Sequence, residues 1–249
     1  MRIGLGVVAG LAIGILAILL IRRGSSLRST DLERETVRGS NEPAPRVVRF
    51  LRSNRWARRG LSLVSFALLA GAVGVIGYPF YTNLYQGRLQ SRLDRQIASP
   101  ELEQAYRERR VGTGDALTRL KMPAIGIDVV VVEGTTASAL RAGAGHYPST
   151  PLPCEAGNVS IAGHRTTYGR PFHNVDRLGP GDVITLETPI GSCDYELREE
   201  PFVVQPEDVW VVDPTPEAVL TLTTCEPKGS AAKRLVVRAD LVSVSASTA

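Results

Sequence analysis

Two long apolar runs followed by a change of period organise the chain. Residues 3–21, "IGLGVVAGLAIGILAILLI", carry no charge and are long enough to cross a bilayer as a helix. Residues 61–80, "LSLVSFALLAGAVGVIGYPF", form a second run of similar length. A cleavable signal peptide is the other reading of the first run, but the stretch is long and "RRGSS" follows it where a small-residue cleavage site belongs. Two transmembrane helices are therefore expected, over 1–21 and 60–82. Gly6, Gly10 and Gly14 in the first, and Ala67/Gly71 and Ala70/Gly74 in the second, have the spacing of closely packed helices. The general abundance of glycine in membrane helices explains them equally well. Beyond the second run, Tyr85, Leu89, Leu93 and Ile97 recur every fourth residue, which predicts that the helix continues as an amphipathic stem. "SPELEQAYRERR" restarts a helix with Ser99 as N-cap and Pro100 at its first position, and "VGTGD" ends it. Residues 83–115 thus read as a helical stem and linker.

From Ala116 the period shortens. "ALTRLKM", "DVVVVE", "NVSIAGH", "DVITLET", "DYELREE", "VLTLTTC" and "RLVVRADLVSV" lie between turn-forming stretches such as "GPGD", "TPIGSCD" and "DPTPE". Seven or eight strands without regular helices predict an all-β domain over 116–249, built as a closed or nearly closed barrel. That length is enough for a single core.

Charge adds a topology. The net charge of +4 is uneven: residues 22–59 hold eleven arginines against four acidic residues, whereas 116–249 carry sixteen acidic and eleven basic residues. The basic balance therefore belongs to one loop and does not point to nucleic acid. Residues 22–59, poor in aromatics and carrying "NEPAP", read as a disordered loop. Short arginine-rich loops stay cytoplasmic, and anionic lipid reinforces the preference. The first helix then runs inward and the second outward, so everything after about Thr82 lies outside the cell. The expected location is the plasma membrane, with two spans and the β domain on the extracellular face. Three lysines beside 26 arginines suggest a GC-rich bacterial genome.

Strand alternation singles out three side chains. In "NVSIAGHR", Val159, Ile161 and Gly163 share the apolar parity, leaving Ser160, Ala162 and His164 on the other face. In "VLTLTTC", Leu220 and Leu222 face the core, and Thr221, Thr223 and Cys225 face away. In "RLVVRADL", Leu235, Val237, Ala239 and Leu241 take the core parity and Arg234 the other. A cysteine off the core is not the usual inert, buried thiol. Placed together, the three have a coherent chemistry. A thiolate attacks an acyl carbon and an imidazole manages the protons. A guanidinium, always charged, holds a carbonyl or stabilises the oxyanion, and also favours the thiolate.

"TLTTC" with Arg234 nine positions on, together with "GNVSIAGHRTTYGRPFHNVDRLGPGD", resembles the sortase family, most of all its class E branch, the housekeeping-type enzymes of actinobacteria. "LTRLKMPAIGIDVVVVEGTT", "GAGHYPSTPLP" and "RLVVRADL" extend the likeness over about Ala116 to Val242. The resemblance implies a closed, eight-stranded β-barrel transpeptidase anchored outside the membrane, with Cys225 as nucleophile, His164 as catalytic histidine and Arg234 as catalytic arginine. It further implies cleavage of a C-terminal sorting signal (Leu-Ala-x-Thr-Gly or Leu-Pro-x-Thr-Gly in type) between threonine and glycine, through a thioester. The acyl group then passes to an amine of a lipid-linked peptidoglycan precursor. Its partners are surface proteins bearing the signal, that precursor and the membrane; no cofactor, metal or nucleic acid is implied.

The chain departs from the family pattern at Glu226, where a histidine is common, and at Cys154, where "PLPCE" replaces "PLPGE". A carboxylate beside a thiolate disfavours its charged form. Cys193, in "GSCD", is also atypical. Outside the cell an even pair of cysteines tends to be bridged, so Cys154–Cys193 is the expected disulfide, leaving Cys225 free. Two unpaired surface thiols are the alternative.

His146 and His173 match no zinc spacing with His164 and read as locally hydrogen-bonded loop residues. Tyr168, four residues past His164, and Thr223 and Thr224, just before Cys225, are candidates for binding substrate, though loop packing and strand propensity account for them too. Two rival functions are a pilin-polymerising sortase and a non-catalytic, membrane-tethered domain that binds wall peptides. The first tends to carry an N-terminal lid and a C-terminal span, and no third apolar run is seen here. The second requires an inert cysteine.

Overall fold

The computed structural model of the chain describes residues 50 and 53–246. The expected first span, 1–21, and most of the basic loop, 22–59, lie outside the described residues. One helix, α1 (Arg55–Ile97), takes in the second apolar run and the stem without a break, with Pro79 inside it. It starts before the span boundary expected at residue 60, because arginine and alanine propagate a helix well and the single glycine there, Gly60, is carried through without a proline. Its most apolar window has a mean hydropathy of 2.1 and no buried residue, and it is the one described helix long and apolar enough to cross a membrane. At 1.5 Å per residue it is about 65 Å long, roughly twice the thickness of a hydrocarbon core. Helix α2 (Pro100–Arg107) follows; Ser99 Oγ accepts the Leu102 N–H, and Glu101 and Glu103 sit at its positive end.

Nine strands follow: β1 (Ala116–Met122), β2 (Ile127–Glu133), β3 (Ala144–His146), β4 (Asn158–Ala162), β5 (Val183–Thr188), β6 (Gly191–Leu197), β7 (Phe202–Val204), β8 (Val219–Glu226) and β9 (Lys233–Ala246). Their order is β6-β5-β1-β2-β3-β4-β8-β9-β7, and β6 also pairs with β9. Eight strands thus close a ring, and β7 is a short ninth strand on the first residues of β9. Strand β9 serves both neighbours because it is 14 residues long. Three elements differ from the sequence reading, and β7 is one of them. Strand β3, three residues with a central glycine, looks like a turn until β2 and β4 supply its partners. Helix α3 (Ala137–Ala142) is six residues long and is capped by Thr136 Oγ1, which accepts the Ala139 N–H.

The core inside the barrel gathers Leu120, Val131, Ile161, Leu186, Tyr195, Leu220, Leu222 and Val237, with Phe172 from a loop. A second cluster joins the stem to the outside of the barrel: Leu93 of α1 and Leu102 of α2 pack on Ala116, Val130, Val132, Ala139 and Ala142. The unbroken valine run of β2 follows from this arrangement. Val131 faces the barrel interior while Val130 and Val132 face the stem, so both faces are buried. Strand β3 pairs only with residues 131–133 of β2, and Gln90 of α1 completes the ladder below. Its amide accepts the Val130 N–H at 2.8 Å and donates to the Val130 carbonyl at 2.9 Å.

Cys154 and Cys193 are joined by a disulfide across 39 residues. Cys193 is not in a turn: it lies on β6 with its side chain in the core, and the tight hairpin precedes it. The bridge therefore ties a loop to a barrel strand, not one loop to another. Denatured, unreduced protein is expected to titrate with one thiol, and reduction is expected to lower unfolding free energy by about 3–4 kcal/mol. Three thiols in that titration would contradict the bridge.

Candidate active site

Strand pairing sets the site. Strands β4 and β8 run parallel, with Ser160 opposite Thr221 and Ala162 opposite Thr223. The pairing persists past the end of β4: the Gly163 N–H donates to the Thr223 carbonyl at 3.0 Å, and Thr224 Oγ1 donates to the Gly163 carbonyl at 2.7 Å. Continued by two residues, this register sets His164 level with Cys225. On the other side, β9 runs antiparallel to β8 and places Arg234 directly opposite Cys225. Directly opposed residues share a face, with Cβ atoms about 5 Å apart. One register on each side of β8 therefore brings imidazole, thiol and guanidinium to the same end of the barrel. Cys225 is unbridged and, like His164 and Arg234, half-buried. The Arg234 guanidinium donates through Nη1 to the carbonyls of Ala231 and Lys233, each at 2.9 Å.

The face of β4 and β8 that turns away from the barrel interior is polar and buried. Thr221 Oγ1 donates to Asn158 Oδ1 at 2.7 Å, and Asn158 Nδ2 donates to the Val211 and Asp213 carbonyls. Thr223 is buried with its hydroxyl 3.0 Å from the Tyr147 hydroxyl. The Thr224 hydroxyl is engaged with Gly163, so it holds the His164 backbone against β8.

The loop after β4 folds back on itself. The Phe172 N–H donates to the His164 carbonyl at 3.2 Å, and His173 Nδ1 donates to the Arg165 carbonyl at 2.8 Å. A side chain at Gly163 would stand 2.5 Å from the Phe172 ring, so only glycine lets the loop pass over the core. Tyr168 lies in this loop with its ring centroid 5.4 Å from that of His164, and Arg141 of α3 stands 5.9 Å from the Tyr168 ring. Burial, and then the Arg141 charge, push the His164 imidazole below its ordinary value. The other histidines take separate places: His146 Nδ1 faces Glu133 at 2.8 Å and Nε2 faces the Pro151 carbonyl at 2.8 Å. No cluster of metal-binding side chains occurs among the described residues.

Strand alternation does not mark Arg165. Its side chain is buried and pairs with Asp176 at 3.1 Å and with Glu226 at 3.3 Å. Lys228 joins the same Asp176 at 3.0 Å. Burial works against the Asp176 carboxylate, yet Lys228 and Arg165 outweigh it and hold its carboxyl below the usual range. The residue after the histidine thus pairs with the residue after the cysteine. Parallel register is the signal that could have revealed this, since residues next to level partners are level with each other.

Comparison with known proteins now adds an identity to this geometry. A family model described as the sortase domain matches residues 120–242. Sortase SrtE1 of Streptomyces coelicolor is 33% identical over 52% of this chain, which spans 41% of that relative's length. A sortase D5 transpeptidase from Clostridium perfringens superposes with a TM-score of 0.56 at 31% identity, over 64% of this chain and 99% of that one. Sortase E from Streptomyces avermitilis superposes with a TM-score of 0.51 at 35% identity, over 54% of this chain and 93% of that one. The chain belongs to the sortase family of cysteine transpeptidases, with class E enzymes among its relatives.

Proposed function

We propose that this chain is a membrane-anchored transpeptidase that cleaves a C-terminal sorting motif, Leu-Ala-x-Thr-Gly or Leu-Pro-x-Thr-Gly in type, between threonine and glycine. The observation that carries this reading is the double register on β8, which sets Cys225 between His164 and Arg234. In the first half-reaction, Cys225 Sγ attacks the threonine carbonyl carbon as His164 takes the thiol proton. The C–N bond then breaks, and the same proton passes to the departing glycine nitrogen. In the second half, the amine of a lipid-linked cell-wall precursor attacks the thioester. His164 removes a proton from that amine and returns it to the departing sulfur. Arg234 presents to the developing oxyanion the guanidinium edge that its backbone bonds through Nη1 leave open. Tyr168, beside His164, lines the approach of the peptide, while Thr223, buried with its hydroxyl on Tyr147, backs the strand behind Cys225. Glu226 is turned to the opposite side of the strand from Cys225, and Arg165 offsets its charge, which answers the objection its carboxylate raises for a thiolate.

The proposed setting is the plasma membrane with two spans, the catalytic barrel outside and the arginine-rich loop inside. The apolar part of α1 supports the anchoring, and the charge asymmetry of the sequence supports the orientation.

The direct test incubates the full chain in detergent or nanodiscs with a Leu-Ala-Glu-Thr-Gly peptide, with and without a glycine-type or diaminopimelate-type amine. Amide product that grows with amine concentration at the expense of free acid is expected. Arg234→Ala is expected to lower kcat/KM about 100-fold. Free acid alone, unaffected by amine, would make the chain a hydrolase instead.

The pH dependence carries a sign. Because His164 titrates below its ordinary value, its neutral form persists on acidification beyond the point where a free imidazole is already charged. The acidic limb of kcat/KM is therefore expected below the usual histidine range. Arg141→Gln removes a positive neighbour and is expected to move that limb upward; a downward move would contradict the assignment.

A further inference from the structure

The loop that carries His164 holds an unfavourable backbone conformation at its tip, and the anchoring helix packs on that tip. Tyr168, Gly169 and Arg170 have φ values of +48°, +72° and +43°, three left-handed residues in succession, two of them with side chains. Such a run persists only where its surroundings over-determine it. Inside the loop, turn bonds run from the Arg170 N–H to the Thr167 carbonyl at 2.9 Å and from the His173 N–H to the Arg170 carbonyl at 3.0 Å, and the Phe172 and His173 bonds to the His164 and Arg165 carbonyls close its base. At the left-handed residues themselves, the support from outside the loop comes from α1. Asn83 Oδ1 accepts the Gly169 N–H at 3.1 Å. Gln86 packs so closely on Gly169 that a Cβ there would lie 2.5 Å from its amide carbon and oxygen. The Gln86 amide also donates to the Ala142 carbonyl at the end of α3, at 3.4 Å, and Gln90 donates to the same carbonyl at 2.8 Å. Helix α3 in turn places Arg141 over the Tyr168 ring, whose other neighbour is His164.

Thr82 and Gln86 are buried although the apolar run of α1 closes only at residue 80. A membrane-facing tether would need no buried polar residues one turn beyond its apolar end. The contacts also fall at a level where Tyr78, Phe80, Tyr81 and Tyr85 are exposed, the aromatic composition of a membrane–water interface.

We propose that the anchoring helix is a working part of the active site. Asn83 and Gln86 are positioning residues that fix the 164–173 loop, and through Tyr168 they set the orientation and hydration of His164. The catalytic histidine is thereby tied to the first turns of α1 beyond its apolar run, and the site is complete only while helix and barrel are docked. The kinetic consequence rests on the transpeptidase reading; the structural coupling does not.

The test uses the full chain in nanodiscs with Asn83→Ala, Asn83→Asp and Gly169→Ala. Hydrogen exchange over residues 164–173 reads the coupling without reference to activity. Asn83→Ala and Gly169→Ala are expected to raise that exchange, while exchange in β8 and β9 stays unchanged. Both are expected to lower kcat about tenfold with KM within about twofold, as misplacement of a catalytic group does. The groups around the imidazole are Tyr168 from its own loop, Arg141 from α3, Cys225 from β8 and Arg234 from β9. A loosened loop admits water, so the acidic limb of both kcat and Cys225 alkylation is expected to move toward the ordinary histidine range. Asn83→Asp keeps an acceptor for the Gly169 N–H and is expected to restore exchange and rate. Raised exchange with unchanged kcat and an unchanged limb would overturn the proposal, as would exchange that no substitution alters. If the unsubstituted chain transfers no peptide, the transpeptidase reading fails alone, and exchange together with the pH profile of alkylation still decides the coupling.

Discussion

The parallel pairing of β4 with β8 is the constraint on which the site depends. Parallel neighbours need a crossover, and here the chain between Ala162 and Val219 supplies it by building β5, β6 and β7 on the way. The ends of β4 and β8 therefore point the same way, and side chains just past the last paired residues emerge side by side. The Gly163 N–H to Thr223 carbonyl bond and the Thr224 hydroxyl to Gly163 carbonyl bond extend the pairing to the threshold of the site. A one-residue slip would turn every side chain of β8 to its opposite face, burying Cys225 and presenting Thr224 in its place. The hydrophobic alternation of Leu220 and Leu222 in the barrel core guards against that slip. Core packing and chemistry are in this sense one specification.

The same geometry accounts for the ionic cluster behind the site. Arg165 and Glu226 follow His164 and Cys225, so they meet on the reverse side of the same two backbones. A buried guanidinium is costly unless paired, and Arg165 has two carboxylates within reach. Glu226, next to Cys225, is thus the counterion of an arginine that locks the histidine loop to the cysteine strand.

Much of the site was legible because strand alternation is local. Cys225, His164 and Arg234 could each be placed off the core from neighbours two residues away, and the Ser99–Pro100 helix start from its capping chemistry. What escaped depends on distant partners. Strand β3 needs β2 and β4 to exist at all, and Cys193 reads as a turn residue until β5 extends the hairpin across it. Gln86, Gln90 and Gln96 look like the polar side of a stem helix. They instead face the domain, because they complete backbone hydrogen bonds that the barrel leaves open at Ala142, Val130 and Ala116. Amphipathic periodicity finds the apolar stripe of a docked helix but not the glutamines that serve a strand edge beside it.

The claim at the centre of this account is that Cys225 forms an acyl bond with a sorting peptide. The most direct measurement is intact-protein mass after brief acid quench in the presence of a threonine–glycine peptide, followed by peptide mapping. The account predicts an adduct equal to the peptide minus its glycine-side product, confined to the fragment bearing Cys225 and discharged by added amine. A reactive, accessible Cys225 in a folded protein that never carries such an adduct, with Leu-Ala and Leu-Pro peptides alike, would contradict it.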